Sequence, residues 1–183
     1  MGFPHHLEEM PTDVDKRRLT VCYLAQGFHN QDINNLNILL ENAISLKQIC
    51  EENGMDFRCR LHPNSPPVLL EKILPRVECV PKDESLIDTI KTGDIFISFN
   101  STSLVEAALH GKHCIQLRNI PVLTEDFEQL GICPKSFDGI GDVENYLKSF
   151  RNIRTKDMGQ FYKEVNPEYI DIPQPNPGAK FYE

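Results

Sequence analysis

Residues 94–112 read DIFISFNSTSLVEAALHGK, and this stretch decides how the rest of the chain is interpreted. The apolar run after Asp94 is typical of a buried strand. The polar cluster from Asn100 to Ser103 consists of residue types that cap the N-terminus of a helix. Apolar residues then recur at helical spacing until Gly111, a residue suited to the position just beyond a helix C-terminus. The stretch therefore predicts a strand, a tight polar turn and a helix.

The polar turn is a candidate anion site. A strand–turn–helix unit directs free backbone N–H groups and the hydroxyls of Ser101, Thr102 and Ser103 to one spot, at the positive end of the helix dipole. An anion, typically a phosphate, is the natural ligand of such a spot. The alternative is ordinary helix capping in an α/β protein, which is common.

The same alternation of strand and helix runs through most of the chain. Strands are predicted at 19–25, 57–61, 77–80, 95–99 and 113–117, and helices at 33–50, 68–74, 82–91, 104–110, 125–130 and 143–150. This alternation predicts an α/β fold: a Rossmann-like, doubly wound, mostly parallel sheet of about five to six strands with helices on both faces. In the strand order 3-2-1-4-5 the first and fourth strands are neighbours, and ligands bind outside the carboxyl ends of the strands there.

Three parts of the chain differ in character. Residues 1–18 are polar, contain two prolines and are interpreted as a linker or entry arm. Residues 19–150 form the Rossmann-like domain. Residues 151–183 contain four prolines and are interpreted as a C-terminal helix or partly extended tail.

Composition excludes several functional classes. The 183 residues carry a net charge of −8 without a basic stripe, which argues against a nucleic-acid partner. No apolar run approaches the ~18 to 20 residues of a membrane span, although association with a membrane surface stays open. The six cysteines are scattered without metal-site spacing and suit buried positions in a reducing compartment. Since no signal peptide is visible either, we expect a cytoplasmic domain without a metal site.

A second polar turn joins the first at the predicted ligand edge. His62-Pro63 follows the second strand, and one strand separates it from the turn of residues 101–103. At ~4.8 Å per strand step, the two turns are roughly 10 Å apart. The His62 imidazole can donate a hydrogen bond to a phosphate or act as a general acid toward a leaving phosphate. Its alternative is a histidine bonded to a neighbouring carbonyl in a tight loop.

Several further side chains could complete a site at this edge. Glu84 and Glu106 could accept hydrogen bonds from ribose hydroxyls, although Glu106 would also complement the dipole of its own helix. Lys82 and Lys112 could neutralise a phosphate, or be ordinary solvated lysines.

Gly27 and His29 follow the first strand and form the predicted acceptor cleft, because they are nearest to the crevice where the strand order reverses. The sequence contains no glycine-rich dinucleotide loop, P-loop or Gly-x-Ser-x-Gly elbow. The candidate site therefore depends on the two polar turns.

The two turns also carry a family resemblance. LHP at residues 61–63 and NSTSL at residues 100–104 resemble the His-Pro and serine motifs of bacterial sialyltransferases and polysialyltransferases. SLVEA at residues 103–107, followed by Gly111-Lys112, is similar to a helix of many GT-B donor domains. Residues 19–118 as a whole resemble the C-terminal, nucleotide-sugar-binding half of GT-B glycosyltransferases.

This resemblance implies a function and a set of roles. It implies an inverting, metal-independent transferase that needs no cofactor, uses CMP-sialic acid as donor and acts on a bacterial surface glycan. His62 would be catalytic and Glu84 would bind the ribose, with Glu106 as the second ribose candidate. The implied phosphate and nucleotide ligands are His62, Pro63, Asn100, Ser101, Thr102 and Ser103.

The chain also departs from that pattern. The family's acidic general-base motif lies in an N-terminal domain, and the only near match here, ENG at residues 52–54, ends a predicted helix. We therefore expect a missing N-terminal domain or a partner chain to supply the acceptor base. Two alternatives stay open: a relative using a UDP-sugar or CDP-alcohol in capsule or lipopolysaccharide synthesis, and a non-catalytic nucleotide-binding or assembly module.

Overall fold

The computed structural model describes residues 17–26, 33–120 and 125–150. Five strands are present: β1 Thr20–Ala25, β2 Asp56–Leu61, β3 Ile95–Ser98, β4 His113–Leu117 and β5 Lys135–Phe137. Five helices accompany them: α1 Ile33–Glu52, α2 Pro67–Ile73, α3 Leu86–Thr92, α4 Thr102–Leu109 and α5 Ile140–Lys148.

The strands form one sheet in the order β2-β1-β3-β4-β5, and every pairing is parallel. The chain first moves outward from β1 to β2, then crosses back to place β3 on the other side of β1. The strand order therefore reverses at β1, as the sequence predicted. This confirms the Rossmann-like, doubly wound α/β fold.

Helices cover both faces of the sheet because successive side chains of a strand point to opposite sides. On one face, Val21 and Tyr23 of β1 pack in the hydrophobic cluster that includes residues of α1, α2 and α5. On the other face, Cys22 and Leu24 pack with residues of α3 and α4. Each face thus has its own apolar core, which explains why β1 is buried along its whole length.

The end of α4 follows the predicted pattern. Gly111 has a φ of 69°, in the left-handed region that favours glycine. Its N–H donates to the Ala108 carbonyl at 2.9 Å, and the N–H of Lys112 donates to the Ala107 carbonyl at 3.1 Å. These two bonds form a Schellman motif, which ends the helix and turns the chain into β4.

Two predicted elements are wrong in detail. Residues 77–80 make a single bridge from Cys79 to Cys59 on the outer side of β2 rather than a strand, and Pro81 has no N–H with which to extend the pairing. Residues 125–130 form turns rather than a helix. There the Asp126 carboxylate accepts the N–H groups of Glu128 and Gln129 at 3.0 and 3.1 Å.

The segments at the two ends of the chain lie largely outside the described residues, so the arm at 1–18 and the tail at 151–183 stay predictions. The two described residues of the arm contact the domain: Arg17 pairs with Asp94 at 2.6 Å, and Arg18 donates to the Gly54 carbonyl at 2.8 Å. Within the described ranges, no helix combines the length and apolar character needed to cross a membrane.

A buried histidine lies between β4 and α5. His113 is 2% exposed, its Nε2 is 3.1 Å from the Tyr146 hydroxyl, and its ring contacts Phe150 edge-on at 4.9 Å. Burial lowers the pKa of His113 to about 3, whereas an unfolded histidine titrates near ~6.5. The unfolded chain binds the His113 proton more tightly than the folded protein does. The contribution of His113 to the free energy of unfolding is therefore largest above about pH 6.5 and falls as the pH drops toward 3.

We expect His113→Phe to remove this pH dependence. At pH 7 the variant should be less stable by about 1 kcal/mol, because the Tyr146 hydroxyl loses its partner. Between pH 6.5 and 4.5 the wild type should lose about 2–3 kcal/mol more than the variant, at ~1.4 kcal/mol per pH unit. Urea unfolding of both proteins at the two pH values measures this, since carboxylate titration is common to both. An equal loss in the two proteins would contradict it.

Candidate functional site

The two polar turns leave the same edge of the sheet. Leu61, the last residue of β2, pairs with Ala25, the last residue of β1, and β3 pairs with β1 on its other side. His62 and residues 100–103 therefore follow the carboxyl ends of two strands that are separated by β1 alone. Two strand steps of ~4.8 Å correspond to the predicted spacing of roughly 10 Å between the turns.

His62 is exposed at this edge, and its ring is held by the turn that it begins. Its Nδ1 accepts the N–H of Asn64 at 3.1 Å, while its carbonyl accepts the N–H of Ser65 at 2.9 Å. A neutral imidazole that accepts at Nδ1 carries its proton on Nε2. His62 thus offers Nε2–H as a donor for an anion, and Pro63 stiffens the turn between the two bonds.

The turn of residues 101–103, called the serine turn below, caps α4 and has hydrogen-bond donors that the capping does not use. Ser101 is the N-cap residue, and its Oγ accepts the N–H of Ser103 at 3.2 Å, so the capping alternative is correct for this oxygen. The Ser101 hydroxyl hydrogen can still be donated. The N–H and hydroxyl of Thr102 and the hydroxyl of Ser103 make no hydrogen bond with another described residue. These groups lie at the positive end of α4.

The loop that contains Glu125 and Phe127 lies beside this turn and is held by hydrogen bonds. The Asn100 side-chain amide donates to the Glu125 carboxylate, so one of its donors is already in use. Buried Gln116 of β4 holds the loop: its Nε2 donates to the Glu125 carbonyl at 2.9 Å, and its Oε1 accepts the N–H of Phe127 at 2.8 Å. The position of Asn100 thus depends on Gln116.

The two candidate ribose ligands differ in their surroundings. The Glu84 carboxylate accepts from Arg58 at 2.7 Å and from the Thr89 hydroxyl at 3.0 Å, and the Glu84 carbonyl accepts from Arg60 at 2.8 Å. Glu106 is partly buried in α4, and its carboxylate makes no hydrogen bond or ion pair with another described residue. Glu106 therefore has more free acceptor capacity than Glu84.

The two candidate lysines lie in different parts of the fold, and the residues of the predicted acceptor cleft are outside the described ranges. Lys112 precedes β4 at the opposite edge of the sheet, where its Nζ donates to the Gly93 carbonyl at 2.9 Å, so its predicted role at the phosphate is wrong. Lys82 does lie near His62. Gly27 and His29 fall outside the described residues, and their role stays a prediction.

A cavity of about 230 Å³ opens beside His62, on the outer side of β2. The segment 79–82, the end of β2 and the turn at His62 form most of its wall, which is largely apolar, with Arg60 and Lys82 among the lining residues. Ser65 also lines it, and its buried Oγ has no hydrogen-bond partner among the described residues. The sequence did not indicate this cavity, although Pro81 follows the predicted third strand at the same edge. In the described residues, no three side chains of metal-binding type come together.

Comparisons with known proteins support the fold. No family model matches the sequence, and no curated protein does so either. Part of the wall teichoic acid polymerase TagF, in a structure soaked with CDPG, is similar with a TM-score of 0.51 and 14% identity over 89% of this chain and 37% of TagF. At this identity the similarity to TagF concerns the fold alone.

Two further structures score lower. UDP-GlcNAc 2-epimerase from Neisseria meningitidis has a TM-score of 0.45 and 18% identity, over 83% of this chain and 38% of the enzyme. KpsC, a beta Kdo 2,4 transferase of Thermosulfurimonas dismutans, has a TM-score of 0.41 and 16% identity, over 59% of this chain and 36% of KpsC. The chain thus spans little more than a third of each of the three proteins.

We expect Gln116→Leu to destabilise the protein by about 2–3 kcal/mol, because the buried N–H of Phe127 and carbonyl of Glu125 would lose their partners. Gln129→Leu is the matched control, since Gln129 is an exposed glutamine of the same loop and its replacement should change stability by less than ~0.5 kcal/mol. Urea unfolding measures both. Equal effects of the two changes would contradict the role assigned to Gln116.

Proposed function

We propose that residues 19–150 form the donor-nucleotide domain of an inverting, metal-independent GT-B glycosyltransferase that uses CMP-sialic acid. The observation that carries the proposal is the meeting of two polar turns at one sheet edge. His62 follows the end of β2, the serine turn follows the end of β3, and β1 alone separates these strands. In the TagF comparison the fold extends over 89% of the chain, which supports a GT-B half-molecule.

In this proposal the two turns stabilise the leaving group. When the bond between sugar and phosphate breaks, negative charge develops on the departing CMP phosphate. The Nε2–H of His62 and the free donors of Thr102 and Ser103 are available to hydrogen-bond that charge. Such preorganised donors need little rearrangement as the charge forms, which lowers the barrier.

The cavity would hold the base of the nucleotide. The largely apolar wall beside His62 suits a planar base, and Ser65 and Lys82 supply polar groups. The ribose would then lie between this cavity and the two turns. The general base for a glycan acceptor would come from a further domain or a partner chain, because the described residues here serve the donor.

A CDP-linked donor is the second candidate. The TagF structure that shares the fold was soaked with CDPG, and a diphosphate would place two anionic groups between the turns. A UDP-sugar would use the same turns with a different base. The two turns suit the phosphate groups of all three donor classes. Only the order of the binding affinities for the nucleotides therefore distinguishes these classes.

Calorimetric titration of the full chain with CMP, cytidine, CDP and UDP tests the proposal. CMP should bind at least ~10-fold more tightly than cytidine, a difference of ~1.4 kcal/mol, because only CMP reaches the phosphate donors. His62→Ala and Thr102→Ala should each lower CMP affinity about 3- to 10-fold while leaving cytidine binding unchanged.

His110→Ala is the matched control, since His110 is an exposed histidine at the far end of α4. It should leave CMP binding unchanged. Tighter binding of CDP or UDP would favour the corresponding alternative donor. Equal binding of CMP and cytidine would contradict the phosphate site, and no binding of any nucleotide would favour a non-catalytic assembly module.

A further inference from the structure

Two of the six cysteines face each other across neighbouring chain segments. Cys59 of β2 and Cys79 are joined by a parallel bridge, and the N–H of Val80 donates to the Cys59 carbonyl at 2.8 Å. Directly paired residues of parallel segments have side chains on the same face, with the segments ~4.8 Å apart. This spacing lies within the Cα separations of about 4.4–6.8 Å found in disulfides. The Cys79 thiol donates to the Val77 carbonyl at 3.6 Å.

The two thiols differ in access and in acidity. Cys59 is fully buried, whereas Cys79 is partly exposed and lines the cavity beside His62. The neighbouring Cys59 thiol lowers the pKa of Cys79, and the Cys79 thiol together with burial raises the pKa of Cys59. A thiolate is the reactive form of cysteine, so Cys79 is the more nucleophilic member of the pair.

The other four cysteines lack these features. They are all buried, and burial raises the pKa of each: Cys22, Cys50, Cys114 and Cys133. Buried thiols of this kind are inert. Reactivity toward an external reagent should therefore be confined to Cys79.

We propose that Cys79 and Cys59 form a reversible disulfide when the protein meets a hydroperoxide. The Cys79 thiolate attacks one peroxide oxygen, the O–O bond breaks, and the released oxygen leaves as water after taking up a proton. The resulting sulfenic acid of Cys79 is attacked by the Cys59 sulfur, which loses its proton, and the hydroxyl group leaves as a second water. Two thiols and one hydrogen peroxide thus give one disulfide and two waters, and an added dithiol restores the thiols.

The local backbone favours this step. Cys79 belongs to an isolated bridge, so fewer backbone bonds than in a strand hold its segment against the small shift that a disulfide requires. The bond would tie residues 79–82, one wall of the cavity, to β2. A change in nucleotide affinity on oxidation would follow from this, but that consequence rests on the proposed function, whereas the disulfide does not.

The test treats the reduced full chain with a small excess of hydrogen peroxide and then maps peptides after alkylation under denaturing conditions. One disulfide linking Cys59 to Cys79 is expected, with a loss of about 2 Da and full reversal by dithiothreitol. The oxidised protein should melt about 5 °C higher, since the bond closes a loop in the unfolded chain. Linkage of other cysteines, or of this pair only in urea-unfolded protein, would overturn the proposal.

Single variants separate the two roles. In Cys59→Ala, peroxide should leave Cys79 as a sulfenic acid that dimedone traps, because the resolving thiol is gone. Cys50→Ala is the control, since it removes a buried cysteine and should form the same disulfide as the wild type. In native protein, iodoacetamide should modify Cys79 at least ~10-fold faster than any other cysteine. Equal rates at Cys79 and Cys22 would contradict the assignment even if a variant failed to fold.

Discussion

The architecture depends on the parallel pairing of β1 with β2 on one side and with β3 on the other. All six residues of β1 are buried, and alternate residues enter the cores on the two faces of the sheet. A strand in this position must be apolar along its whole length, because neither face meets water. It also fixes where the strand order reverses, and with it the edge at which the turns after β2 and β3 come together.

The candidate site follows from where strands end. At this edge the chain leaves the sheet, so backbone N–H groups and short polar side chains meet solvent without partners from a strand. In the serine turn the Ser101 oxygen accepts the N–H of Ser103, while the donors of Thr102 make no hydrogen bond with another described residue. His62 is held through Nδ1 by a backbone bond, which leaves one defined donor on the ring. Both turns are therefore held by hydrogen bonds within the protein.

Much of this could be predicted from local sequence. The predicted segments for β1, β2, β3 and β4 agree with the structure because they are short apolar runs between turn residues. The α4 ends were predictable because Ser101 and Gly111 each suit one backbone position. β5 was missed because three residues are too few for a strand pattern. Lys112 was misassigned although the predicted strand at 113–117 follows it directly, which places it at the amino end of that strand, away from the two turns.

The sequence by itself determined the α/β class, the two polar turns and their place at the carboxyl ends of strands, since hydrophobic periodicity and capping are local properties. Tertiary structure alone decided which groups around those turns are already occupied. The Glu84 carboxylate is paired with Arg58, and the Asn100 amide is bound to Glu125. The bridge that brings Cys79 to Cys59 is likewise a tertiary feature. These contacts join residues 20 to 26 positions apart in the chain, and only the packing of the sheet and its loops brings them together.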